Sequence, residues 1–222
     1  MKIIAQAPCR ISLFGGGTDV GEYAEKYGGY CINMAINLRQ HISIDDEGVH
    51  RHELYGQIIP EGADINFYDT ILKEMDFYNQ VNHIDCEFDS VIESGLGSSA
   101  SATVALIGAI SKARNLKMTR EEIAEKAWDI EVNKLKLYGG KQDQYASAFG
   151  GMNAYYFEDK VMVSSYPRLI AEKFAENILL VFTGKTRKSP KIQESFKRIT
   201  TKQKKALDKI KEIAFQADEL II

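Results

Sequence analysis

Cysteine, proline and tryptophan are all scarce in this 222-residue chain, with three, four and one respectively. Cys9, Cys31 and Cys86 are widely spaced and form no C-x-x-C pair. That argues against a disulfide framework and points to a reducing cytosol. No apolar run approaches the roughly 18 residues of a spanning helix, and Met1 to Gln6 has no signal-peptide pattern. A cytoplasmic globular protein without a membrane partner is expected. Charge of one sign is also lacking: 28 Lys and Arg against 31 Asp and Glu give a net charge of −3. That balance argues against a general polyanion binder, so no nucleic acid is expected as a partner. Internal repeats and low-complexity tracts are absent too. With 45% hydrophobic and 27% charged residues, the length suffices for one large domain or two small ones.

Glycine is placed more tellingly. In the stretch from Glu93 to Thr103, Gly95 and Gly97 allow a tight turn and close backbone approach to a ligand. Ser98 and Ser99 follow, each a good N-cap that can also offer a hydroxyl to a phosphate or a metal. Ala100, Thr103, Val104, Ile107 and Ile110 then repeat at the spacing of an amphipathic helix. A glycine turn feeding a helix start gathers N–H groups at the positive end of the dipole, so the stretch reads as a phosphate cradle. It is not the common P-loop, because no Gly-Lys-Ser/Thr follows. Gly95-x-Gly97-x-x-Ala100 does match the dinucleotide pattern, but that fold needs a strand after the helix, ending in an acid about 20 residues on. Thr119-Arg120-Glu121-Glu122 is instead a capping box that opens a second helix.

Lys2 to Ala7 reads as a short strand ending at Pro8. Arg10 and Asp19 bracket a loop, Gly15-Gly16-Gly17-Thr18-Asp19, with more backbone freedom than structure alone requires. Gly21 to Tyr27 suggests a short helix and Tyr30 to Asp45 one or two strands. Gly48 looks like a hairpin turn before His50 to Leu54. His50 and His52 form an H-x-H pair without a third ligand nearby, so no metal is expected there. Ile65 to Tyr78 has helical spacing, and Asn82 to Ile92 reads as a strand leading into the glycine turn. In the second helix, about Arg120 to Lys134, Glu131 falls on the edge of the buried face. A carboxylate there needs a cation, a metal or a neighbour such as Lys134. After Gly139-Gly140, a short helix opens at Lys141-Gln142-Asp143-Gln144 and ends at Gly150-Gly151. Asp143 lies in its first turn, where the dipole favours a charged acid. Met152 to Glu158 and Val161 to Tyr166 suggest a hairpin, and Ile178 to Phe182 a short buried strand. Ser189-Pro190 supplies an N-cap and a first helical proline. From there Ile192, Phe196, Ile199, Leu207, Ile210, Ala214 and Ala217 extend a long amphipathic helix to the C-terminus. Its lysines read as a solvated face, with Lys185, Arg187 and Lys188 as a contact for a substrate phosphate.

Three of these segments together resemble the GHMP kinase family: Ala7 to Asp19, Glu93 to Thr103, and Gly139 to Gln144. Within it, Phe14 to Asp19 and Gly140 to Gln144 are most similar to the bacterial D-glycero-D-manno-heptose 7-phosphate kinases. Cys9 stands where the family usually has Gly, and Val91 where the phosphate motif often begins with Pro. The resemblance implies an α+β fold. Residues 1–175 would form an N-terminal mixed sheet with helices, like the second domain of ribosomal protein S5. Residues 176–222 would start a ferredoxin-like C-terminal domain. Nothing after Gly184 is glycine-rich, so the family's third motif is not expected in these residues and that second domain is expected to be incomplete.

The resemblance also implies roles. ATP would lie on Ser94, Gly95, Leu96, Gly97, Ser98, Ser99 and Ala100, with Mg²⁺ on Ser99 and Glu131. Asp143 would act as base and Arg10 would stabilise the transferred phosphoryl group. Gly16, Gly17, Thr18, Asp19, Gly140 and Arg187 would meet a small-molecule sugar phosphate, and a homodimer is compatible. Two alternatives stay open: another sugar kinase of the fucokinase or galactokinase type, or a nucleotide- or sugar-binding module without catalysis.

Overall fold

One strand, β2 (Gly29–Asp45), runs through the centre of the molecule. β1 (Lys2–Phe14) lies antiparallel along its whole length, from Lys2 opposite Asp45 to Phe14 opposite Ile32. The other edge of β2 is shared: β5 (His83–Phe88) takes its second half and β6 (Met152–Phe157) its first. β7 (Val161–Ser165) completes a hairpin with β6, as the sequence predicts. β3 (Arg51–Leu54) adds in parallel to β5, and β4 (Gln57–Ile59) antiparallel to β3. The sheet is therefore mixed, as expected. This computed structural model describes residues 2–47, 51–54, 57–59, 66–90, 94–184 and 199–221.

Alternation and length let β2 send its side chains into three hydrophobic clusters. Tyr30, Ile32 and Met34 face Met152, Ala154 and the C-terminal helix α7 (Thr201–Ile221) at Ala214 and Ala217. Cys31 points the other way, into a cluster with Ala124, Tyr145, Tyr155 and Phe157. Further along, Ile42 and Ile44 pack on α2 (Asn66–Glu74) and α3 (Ser98–Ala113) through Ile71, Leu72, Leu106, Ile107 and Ile110. α1 (Gly21–Tyr27) and α6 (Arg168–Glu176) complete the short helices around the sheet. α4 (Arg120–Asp129) begins with the predicted capping box, in which Thr119 and Glu122 bond each other's backbone. α5 (Gln142–Phe149) follows and ends at Gly150, as its glycine pair predicts.

Several local readings are corrected by the tertiary structure. The first strand does not stop at Pro8 but passes through it, with a register shift between Pro8 and Arg10. A bulge tolerates proline because the ladder does not use the missing N–H there. Residues 48–50 and the side chain of His52 lie outside the described residues, but β3 does not form a hairpin with β2. β5 lies between them, its Ile84 and Cys86 fully buried, so long-range pairing overrides the turn signal. The predicted helix from Arg120 loses α-geometry at Ile130 and winds into a π turn over Ile130–Lys134.

The helix over Thr201–Ile221 is preceded by non-helical Ile199 and Thr200, so no unbroken helix reaches the C-terminus from upstream of Ile199. The Thr200 hydroxyl accepts from Gln203 N–H, and the Gln203 amide accepts from Thr200 N–H, a second capping box. Ser189-Pro190, Ile192, Phe196 and the basic cluster of Lys185, Arg187 and Lys188 lie outside the described residues. Some α7 lysines are tied locally: Lys204 to Asp208, and Lys211 to the carbonyls of Tyr27 and Gly28.

Ile178 to Phe182 is not a buried strand. Leu179 and Val181 are 85% and 68% exposed, and among the described residues no strand lies beside this run. A bare apolar β-type segment invites pairing with another chain. Replacing Leu179 and Val181 together with Lys is expected to reduce concentration-dependent association in light scattering. Because neither side chain packs on a core, stability should stay within about 0.5 kcal/mol per site in denaturant unfolding. Unchanged association with lower stability would show that the run is held in the fold.

Candidate active site

The glycine turn at 95–97 is shaped by β1 on one side and α3 on the other. Gly97 takes the left-handed conformation at the start of α3 (φ 74°), which a side chain would strain. The first α3 bond closes from Ser101 N–H to the Gly97 carbonyl, so the N–H groups of Ser98, Ser99 and Ala100 come before intrahelical pairing. β1 fixes the turn from below: Arg10 N–H donates to the Leu96 carbonyl at 3.0 Å, and its guanidinium to the Gly95 carbonyl at 2.9 Å. Ser99 is exposed at the mouth of the turn. The Ser94 hydroxyl is enclosed without a hydrogen-bond partner among the described residues.

Asp143 reaches the same place from α5. Its Oδ1 accepts from Arg10 Nε at 2.7 Å and pairs with Arg10 Nη2 at 2.6 Å. Oδ2 faces the glycine turn, where a Cβ built on Gly97 would lie 3.3 Å away. Glycine at 97 thus leaves space directly in front of that oxygen. The Arg10 side chain is only 11% exposed, so this charge-assisted pair orders the site more than an open surface pair could.

Glu131 comes in through the π turn, a distortion that often occurs at functional positions. It is buried, and Lys134 pairs with Glu74 instead of with it. Thr103 donates to Oε1 at 2.5 Å, Ser99 to the same oxygen at 3.3 Å, and Gln144 to Oε2 at 2.8 Å. Burial dominates nonetheless and pushes the Glu131 carboxyl up to about 7. The donors are hydroxyls and an amide, so a cation beside Ser99 would relieve a buried charge that they only partly stabilise. No group of three or more His, Cys, Asp or Glu suited to a metal occurs among the described residues. Two hard oxygen ligands plus phosphate and water suit Mg²⁺, which makes few protein bonds. The residues fit that ion.

The loop at 15–19 supports this centre mostly from inside. Thr18 is fully buried; its hydroxyl accepts from Tyr30 N–H and donates toward the Gly15 and Tyr30 carbonyls. Asp19 is 5% exposed and accepts from Gly17 N–H, Gln142 N–H and Gln142 Nε2. Desolvation, with nearby Asp143, raises its pKa above the usual carboxylate value. Gly140 is the floor of that pocket, since a Cβ there would come within 2.0 Å of Asp19 Oδ2. Gly16 is exposed and Gly17 half-buried. Thr18 and Asp19 therefore bond the protein's own atoms. Arg187 lies outside the described residues. Sequence reasoning passed over Gln142, Gln144 and Thr103; the available signal was a glutamine on each side of Asp143 at a helix start.

Comparison with known proteins gives this constellation its context. The GHMP kinases N-terminal domain matches residues 65–151, which include the glycine turn, Glu131 and Asp143. D-glycero-alpha-D-manno-heptose 7-phosphate kinase of Campylobacter jejuni is 33% identical over 98% of the chain and 73% of its own length. The chain belongs to the GHMP kinase family. Members of this family are ATP-dependent phosphotransferases. A mevalonate kinase of Archaeoglobus fulgidus, another relative of this GHMP kinase chain, is 30% identical over 67% of it. The chain spans about half that enzyme's length (51%). Among solved structures, a D-glycero-D-manno-heptose 1-phosphate kinase from Bacteriodes thetaiotaomicron superposes with a TM-score of 0.75. It covers 100% of this chain and 73% of the other at 24% identity, a likeness of fold. Among the described residues, no helix of this GHMP kinase is long and apolar enough to cross a membrane.

Proposed function

We propose that this GHMP kinase chain transfers the γ-phosphoryl group of ATP to the anomeric hydroxyl of a sugar phosphate. D-glycero-D-manno-heptose 7-phosphate is the acceptor we favour, giving the 1,7-bisphosphate. One observation carries the reading: two carboxylates and an arginine, from β1, the π turn and α5, converge on one glycine turn at a helix start. The N–H groups of Ser98, Ser99 and Ala100 would hold the phosphates. Ser99 and Glu131 would hold Mg²⁺, which when bound neutralises phosphate charge. Asp143 Oδ2 would take the proton of the acceptor hydroxyl as its oxygen bonds to phosphorus and the bond to ADP breaks. Arg10 orients Asp143 through Oδ1 and would stabilise charge on the transferred group. Gly16 and Gly17 are the backbone on which the sugar would rest; Arg187, the sequence candidate for its phosphate, lies outside the described residues. In this reading Thr18 and Asp19 shape the sugar loop from below. The same reading places the protein in the cytoplasm and treats 1–175 as the ATP-binding unit, with a further unit opening at 176.

The test is a coupled ADP-release assay with the phosphates of heptose, mannose, fucose and galactose and the free sugars, alongside calorimetry with ATP. Release with one sugar phosphate at ten times or more the background rate is the expected result. ATP binding without release from any acceptor would favour a nucleotide-binding module instead. Release only with a free sugar would point to a galactokinase- or fucokinase-type acceptor.

A further inference from the structure

Asp143 sits between two glutamines whose side chains leave the first turn of α5 in different directions. Gln144 supports Glu131, whereas Gln142 turns back to the glycine loop. Gln142 is 8% exposed, and all its polar groups are engaged. Its N–H donates to Asp19 Oδ2 at 3.2 Å and its Nε2 to Asp19 Oδ1 at 3.1 Å. Its Oε1 accepts from the Ser12 hydroxyl at 3.0 Å, and its carbonyl from Asn33 Nδ2 at 3.4 Å. The amide orientation is therefore fixed by Asp19, which needs a donor, and this leaves Oε1 to accept from the Ser12 hydroxyl. Asp19 in turn reaches Gly17 N–H, which couples Gln142 to the exposed part of the loop. The far side of the loop is packed closely on β2: a Cβ on Gly15 would come within 1.9 Å of the Tyr30 carbonyl and one on Gly29 within 2.4 Å of the Thr18 carbonyl.

From this geometry we propose that Gln142 is a positioning residue. It locks the acceptor loop, Gly15–Asp19, to the turn that carries Asp143, and so sets the distance between acceptor and base. The inference rests on the sugar-kinase reading for the ligand on that loop. It goes further in assigning the alignment to a residue that would not itself touch the sugar. Asp19 then acts as the buried anchor for Gln142 rather than as a sugar ligand.

The test exchanges the two partners. Gln142→Glu sets carboxylate against carboxylate, and Asp19→Asn sets amide donor against amide donor. Each is expected to weaken sugar-phosphate binding by about tenfold, the usual size for breaking a buried polar pair, with ATP affinity unchanged. The double variant, Asp19→Asn with Gln142→Glu, restores the side-chain donor–acceptor pair, but the new N–H₂ at position 19 can no longer accept from Gly17 N–H, so it should recover about threefold of the affinity lost. A loss of general packing would lower ATP binding too and would not be rescued. Should Gln142→Glu fold poorly, Ser12→Ala removes the hydroxyl that tethers the Gln142 amide oxygen and should weaken sugar-phosphate binding by about threefold. Calorimetry with heptose 7-phosphate and ATP reads these effects without requiring turnover. No rescue in the double variant, or unchanged binding in Ser12→Ala, overturns the proposal. A wild-type chain that binds the sugar phosphate but does not transfer phosphate removes the kinase reading and leaves this inference standing. A chain that binds none of the tested sugars overturns both.

Discussion

Asp143→Asn is expected to lower turnover by about 10²-fold or more, within the range for loss of a general base, while ATP affinity stays within a few-fold. The asymmetry of the carboxylate gives the reason. Oδ1 already carries both Arg10 contacts, at 2.7 and 2.6 Å, and Oδ2 faces the space above Gly97. An asparagine can keep its carbonyl oxygen on Arg10, so Arg10 still reaches the Gly95 carbonyl and the turn keeps its shape. The atom that would face the proposed acceptor becomes an amide N–H₂, which cannot accept the hydroxyl proton. Binding should therefore survive where transfer does not. Steady-state turnover beside ATP calorimetry separates the two, and near-normal turnover in this variant would remove Asp143 from the catalytic role.

Glu131→Gln should do two opposite things. In the metal-free protein it is expected to raise stability near pH 8, and with metal it is expected to depress Mg²⁺-supported turnover by about 10²-fold or more, as loss of the proposed charged metal ligand should. The stability argument follows from burial. Because the folded pKa of Glu131 lies near 7, above its ordinary 4.5, ionisation costs the folded state more than the unfolded one. The penalty is absent below about pH 4.5, grows between about 4.5 and 7, and is fully present above that. Its full size is on the order of 3 kcal/mol.

Glutamine fills the same space without the charge. The Gln144 amide can turn over to accept from the new N–H₂, using its Oε1, which is buried without a partner among the described residues. A gain of about 1–3 kcal/mol at pH 8 corresponds to a Tm rise of about 2–12 °C at this chain length. Near pH 4 the two proteins should melt together. A lower Tm for the variant at pH 8 would mean that the buried carboxylate is not a net burden. Retained Mg²⁺ dependence with full turnover would take Glu131 out of the metal site.

The sequence alone determined those features whose causes lie within a few residues of one another. The turn at Gly95 and Gly97, the capping box at Thr119, the short α5 between its glycine pairs and the β6–β7 hairpin all have local causes, and each was legible. The residue types for the proposed phosphate seat, metal pair and base were legible as well, through three motifs in order. Only the tertiary structure decided how those residues meet. Arg10 and Asp143 pair across 133 positions, and Thr103 reaches Glu131 across 28. The π turn that places Glu131 inside, the inward commitment of Asp19 to Gln142 and the insertion of β5 between β2 and β3 belong to the same class. So does the exposure of Ile178 to Phe182, whose apolar sequence reads as buried although each of its side chains is at least a third exposed. Hydrogen bonding within a turn is set by neighbours in the chain. Burial, strand pairing and the pKa of an enclosed acid depend on which distant surfaces close over it, and a linear pattern does not contain that information.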